Sequence, residues 1–152
     1  MAKLVVGSLE EVKQLKGKTL GPTEWKVITH EQVNDFARAT GDFQWIHTDP
    51  ERAARESPFK KTIAHGYMSL ALLGGMYFEM IEVQGVKMAV NYGTNKVRFP
   101  APLPVGASVR MAAEVAEVET IEGGLQLTIK ASLEVQGASK PAMVAEVLFR
   151  YY

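Results

Sequence analysis

The sequence contains no cysteine. Disulfides, thiolate metal sites and a cysteine nucleophile are therefore excluded, and a reducing, cytoplasmic setting is expected. It also lacks a net charge, with 17 Lys+Arg against 17 Asp+Glu. No basic stripe stands out, so nucleic acid is not an expected partner. No secretion signal is visible: Met1-Ala2-Lys3 leads into a short apolar run, Leu4-Val5-Val6, that stops at Gly7. Nor is there an uninterrupted membrane-length apolar run. The nearest approach, Ile63 to Ile81, carries His65, Ser69, Glu79 and three glycines. It reads as a buried core helix rather than a span, and no membrane partner is expected.

What is present is enough chain for a core. At 152 residues and 47% hydrophobic content, the sequence fits one compact domain over residues 1–152 that needs no staples. Leu9, Val12 and Leu15 recur at helical spacing before Gly17. Thr19 to Ile28 reads as a short strand with Trp25 and Val27 on one face. Thr29, with Gln32 three residues on, is a capping-box pattern that starts a helix over 30–39, with Val33, Phe36 and Ala37 inward and Gly41 as its stop. Asp49-Pro50 restarts a short helix to about Glu56. Residues 42–48 are thus expected to form a connection between helices, pinned by Phe43, Trp45 and Ile46. Thr62 to about Val83 is expected as the long helix, apolar almost all round. Beyond Met88 the period changes to two: Leu125, Leu127, Ile129, Ala131, Leu133 and Val135 alternate with polar residues, and residues 90–99, 109–115 and 143–149 follow suit. The fold class is α+β, with four strands in an antiparallel meander curving around the long helix.

The run Thr40-Gly41-Asp42-Phe43-Gln44-Trp45-Ile46-His47 carries the chemistry. Five residues is poor spacing on one helix face, but a bend at Gly41 could turn both side chains to one point. A carboxylate and an imidazole sharing one water are what reversible addition of water needs. The blander alternative has Asp42 capping the turn and His47 packing beside Trp45. Both readings are open on these residues alone.

Phe36, Thr40-Gly41-Asp42 and His47, then Ile63-Ala64-His65-Gly66, then Val97-Arg98-Phe99 followed by Pro102 and Val105-Gly106, occur in this order. The set resembles the MaoC-like (R)-specific enoyl-CoA hydratases, and Gln44-Trp45 ahead of Ile46-His47 resembles the family's NodN-like branch. The resemblance implies a hot-dog fold, a curved antiparallel sheet wrapped around a long central helix. It implies syn addition of water to a 2-enoyl thioester by Asp42 and His47, with the Gly66 amide binding the thioester oxygen. It further implies an acyl-CoA substrate carrying its own CoA, no other cofactor, a homodimer, and a product for polyester or fatty-acid metabolism. Asn95 and Arg98 are candidates for substrate contacts, Arg98 with a CoA phosphate, though a solvated strand face explains both equally well. The alternative reading of Gly66 is a packing glycine, while His65 reads as a structural histidine and His30 as a solvated one. The three histidines show no metal-ligand spacing, and no metal is expected. A hot-dog thioesterase and a non-catalytic acyl-CoA-binding protein are the rival readings.

Overall fold

The computed structural model describes residues 2–152. In chain order the elements are β1 (Leu4–Val6), α1 (Leu9–Val12), β2 (Thr19–Leu20), β3 (Lys26–Val27), α2 (His30–Thr40), α3 (Trp45–Thr48), α4 (Pro50–Glu56), α5 (Gly66–Met80), β4 (Ile81–Val83), β5 (Ala89–Arg98), β6 (Ser108–Ile121), β7 (Gly124–Val135) and β8 (Met143–Tyr151). The main sheet is antiparallel and ordered β2-β6-β7-β8-β5, with β3 also on β6. The helix α5 packs on its inner face, giving the α+β hot-dog arrangement expected from sequence.

The period-two pattern places the core. All six alternating residues of β7 are buried, as are Val109, Met111 and Val115 of β6 and Met143, Val147 and Phe149 of β8. Against them α5 buries Met68, Leu73, Met76, Tyr77 and Met80. Tyr77 stacks on Phe149 at 4.1 Å between ring centroids, and its hydroxyl meets that of Tyr151 at 2.8 Å. Each hydroxyl satisfies the other in the core, where an orphaned one would cost about 1–3 kcal/mol. Burial holds both phenols above their usual range, Tyr77 well above it.

Several expectations change in detail. The strand over 19–28 is two short pieces, because Gly21 turns the chain between them at φ +79°, and Trp25 and Val27 are exposed. The last residues of the expected long helix, Ile81–Val83, are instead extended and pair in parallel with β1. The four late strands do not form one meander. Only β6-β7-β8 do, and β5 joins β8 on the opposite edge. The segment from Phe99 to Ala107, with three prolines, carries the chain across rather than turning a hairpin. Among the described residues, no helix is long and apolar enough to cross a membrane.

Candidate active site

The site begins at the end of α2. Thr29 and Gln32 form the capping box, and Gly41, at φ +78°, closes the helix in the left-handed region. The Asp42 Oδ1 then accepts a hydrogen bond from the Gln44 amide at 3.3 Å, a local turn that turns the chain into α3. Residues 45–48 are thus helical rather than an irregular connection, and the hydroxyl of Thr48 back-bonds to the carbonyls of Phe43 and Gln44 at 3.2 Å. The pinning also differs from expectation. Phe43 is 59% exposed, while Trp45 lies under the Arg52 guanidinium, 4.3 Å from ring centroid to Cζ.

This short helix places His47. The ring is 6% exposed, and its Nδ1 lies 2.7 Å from the Ile63 carbonyl. A carbonyl only accepts, so Nδ1 carries the proton and neutral His47 presents its Nε2 lone pair. The Ile63 amide donates to the Ile46 carbonyl at 3.0 Å. The segment at 62–64 is in turn tied to the proline-rich crossing by Ala64 N–H to Leu103 O and Val105 N–H to Thr62 O. Burial pushes the His47 pKa below its usual value near 6.5, opposed by the bond to Ile63; His65 lowers it further and Asp42 raises it.

His65 caps α5 and is 2% exposed. Its ring stacks on that of His47 at 3.9 Å between centroids, and its Nε2 lies 3.0 Å from the Asp42 carbonyl. Phe36 of α2 leans on its other side at 4.9 Å. One carboxylate oxygen of Asp42 and one ring nitrogen each of His47 and His65 lie within 4.8 Å of one another. A single water hydrogen-bonded to two groups bridges up to roughly 6 Å, so Asp42 and His47 can share one. Among the described residues this trio is the one group close enough to consider for a metal ion. The two imidazole planes are tilted by 24° to each other.

Gly66 opens α5, where its amide has no carbonyl of the same helix to donate to. A Cβ at this position would sit 3.0–3.3 Å from ring carbons of Phe99. The space opened by the missing side chain is therefore filled by Phe99, a packing reason for glycine that stands beside the functional one. Asn95 and Arg98 stand exposed on β5, Asn95 at a register shift between Thr94 and Lys96. The Arg98 guanidinium donates to the Val97 carbonyl at 2.7 Å. It borders a groove of about 660 Å³, which lies across the main sheet and contains neither Asp42 nor His47. Volume is a poor guide here, because the chemistry is concentrated at the α2–α3 connection. The structure thus gathers Asp42, His47, His65 and Phe36 and keeps Asn95 and Arg98 on the edge strand.

A second groove, about 290 Å³, runs along α5 between α2 and β3, lined by Ile28, Gln32, Ala71, Leu72, Gly75 and Met76. An ion pair between Lys26 and Glu79 stands at its rim. Gln32 lies one turn before Phe36 on α2, and Phe36 touches His65. The groove therefore follows the same helix pair away from the Asp42–His47 site.

The family model described as "MaoC like domain" matches residues 11–136. The 3-hydroxyacyl-thioester dehydratase Z of Mycobacterium tuberculosis H37Rv is 52% identical over 145 residues, covering 95% of each chain. Nodulation protein N of Rhizobium meliloti is 39% identical over 140 residues, covering 91% of this chain and 87% of the other. Among solved structures, the (R)-hydratase from A. caviae involved in PHA biosynthesis superimposes with a TM-score of 0.71 at 25% identity, covering 88% of this chain and 94% of that one.

Proposed function

The chain belongs to the MaoC-like family of hydratases and dehydratases, and from that premise we propose that it is an (R)-specific 2-enoyl-CoA hydratase, equally a 3-hydroxyacyl-CoA dehydratase in reverse. The carrying observation is the carboxylate of Asp42 and a ring nitrogen of His47 within 4.8 Å at the start of α5. A water between them donates one O–H to each, and its own lone pair faces the β-carbon. Attack forms the C–O bond, and the alkene pair moves through the α-carbon to the thioester oxygen. The Gly66 amide receives that developing charge, helped by the dipole of α5. The proton taken by Asp42 or His47 returns to the α-carbon on the same face, giving syn addition. Every electron moves between carbon, oxygen and hydrogen, so the reaction asks for no redox group, and the CoA belongs to the substrate.

The test is loss of the conjugated-thioester absorbance with crotonyl-CoA, with the product's chirality assigned. The (R)-3-hydroxyacyl thioester is the expected product. Release of free thiol without hydration would make the protein a thioesterase, and binding without turnover would make it an acyl-CoA-binding protein.

The same reading assigns the 290 Å³ groove along α5 to the acyl chain. Gly75 lines that space and a Cβ there would meet nothing within 4 Å, so Gly75→Leu grows into the groove from an unobstructed first carbon. The variant is expected to turn over crotonyl-CoA nearly as wild type does, and to lose roughly ten-fold or more in kcat/KM on an eight-carbon substrate. Equal losses on both substrates would place the acyl chain elsewhere. The reading also includes a homodimer. The edge strand β5 exposes Val90 and Tyr92, and α5 exposes Tyr67 and Phe78, a face that a twin subunit would cover.

A further inference from the structure

His65 touches both members of the proposed pair, yet no step of the addition uses it. Its ring lies face to face with His47 at 3.9 Å, and its Nε2 reaches the main-chain carbonyl of Asp42 at 3.0 Å. The two partners come from the α2–α3 connection, whereas His65 belongs to the start of α5, 23 residues from Asp42. We propose that His65 is a positioning residue that clamps Asp42 and His47 to the end of the central helix and fixes their separation around one water.

Three observations support this. The first is the tautomer. The Asp42 carbonyl accepts, so Nε2 donates, and the lone pair of neutral His65 is on Nδ1. That Nδ1 is buried and, like the Nδ1 of His30, has no hydrogen-bond partner among the described residues. A buried polar atom left unpaired costs stability, so the ring holds this position at a cost. This ring is held by its stack and one bond, an arrangement that makes sense if its placement serves the neighbouring residues. The second is the absence of competing restraints. Among the described residues, the Asp42 side chain is held only by the local turn to Gln44 at 3.3 Å, and Asp42 is exposed. The bond from His65 ties the Asp42 turn directly to the first turn of α5, beside the bonds of Ile63 to Ile46 and His47. The third is electrostatic. Asp42 favours the protonated form of His47, and His65 opposes it, because two stacked imidazoles repel when both carry a proton. His65 thereby helps keep His47 an acceptor for the water.

The two contacts separate by substitution. His65→Phe keeps an aromatic face on His47 and loses the donor. His65→Gln keeps a donor within reach of the Asp42 carbonyl and loses the stack. Both are expected to lower kcat at least about ten-fold with KM little changed, since His65 does not touch substrate; misplacing a group by ~1 Å can cost 10²-fold. Both also remove the neighbour that opposes protonation of His47, so the acid limb of the kcat profile is expected to move to higher pH. Lower melting temperature with an unmoved acid limb and kcat within two-fold would reduce His65 to packing and overturn the proposal.

The inference rests on the Asp42–His47 reading, so it also has a readout that needs neither turnover nor a folded variant. Long-range ¹H–¹⁵N correlation of the wild-type imidazoles, at a pH where both rings are neutral, should show His65 as the Nε2–H tautomer. An Nδ1–H tautomer for His65 would break the clamp even if the protein hydrates enoyl-CoA. The expected tautomer in a protein with no hydratase activity would sink the assigned reaction and leave the geometry standing.

Discussion

Replacing Asp42 with Asn is expected to cost at least ~10²-fold in kcat while leaving the fold intact. The amide is isosteric, and its oxygen can still accept from Gln44, so the local turn survives. What disappears is the carboxylate that takes a proton from water, and removing a general acid–base group typically costs 10²–10⁴-fold, about 2.7–5.5 kcal/mol of transition-state stabilisation. His47→Gln should do the same, since a glutamine amide can still donate to the Ile63 carbonyl but cannot present a basic nitrogen. Because both groups serve one water, the double variant should be little worse than either single one. Groups acting as a unit are strongly non-additive in this way. Additive losses would mean that the two residues act at separate steps or separate molecules. A pH profile adds a second reading of the same site. His47 accepts only when neutral, and burial pushes its pKa below the usual 6.5. The acid limb of kcat should therefore lie below pH 6.5. Stability follows the same sign: the unfolded chain, with its ordinary imidazole, binds the proton first as pH falls through 6.5. Folding should weaken progressively from there toward the lower folded pKa.

The elements that read most clearly in the sequence are those whose cause is local. The period-two run in β7 fixed its inward face residue by residue, and the Thr29–Gln32 box with Gly41 bounded α2 to within a residue. The antiparallel sheet around one apolar helix followed from the same patterns. Strand order did not, because β5 pairs with β8 through contacts some fifty residues apart, and no alternation distinguishes one edge of a sheet from the other. The far end of the long helix was misplaced for a related reason. Ile81-Glu82-Val83 suits either state, and pairing with β1 decides it. At the site, Asp42 and His47 could be singled out because they share one short motif. His65 could not be joined to them: it is 18 positions beyond His47, and only the bridge at 62–64 folds it back onto that ring. Its place in Ile63-Ala64-His65-Gly66 marked the segment but carried no signal of the stack.

The sharpest test of the oxyanion assignment is the pair Gly66→Ala and Gly66→Pro. Both put a Cβ toward Phe99, into space now 3.0–3.3 Å from its ring. Phe99 is 42% exposed and able to yield by the few tenths of an ångström that Ala requires, so Gly66→Ala should retain most activity. Proline adds one decisive change, the loss of the amide hydrogen. The first helical position is where proline is best tolerated, since that N–H has no partner inside the helix. The preceding residue suits it as well: His65 sits at φ −59° and ψ 140°, the extended region that a following proline prefers. Folding should therefore survive, as a melting curve would show. If the Gly66 amide stabilises the thioester oxygen, Gly66→Pro should lose a further ~10²–10³-fold in kcat relative to Gly66→Ala, the usual cost of deleting one oxyanion donor. A folded proline variant with the alanine variant's rate would leave Gly66 as a seat for Phe99 alone, and another donor would have to be sought for the enolate.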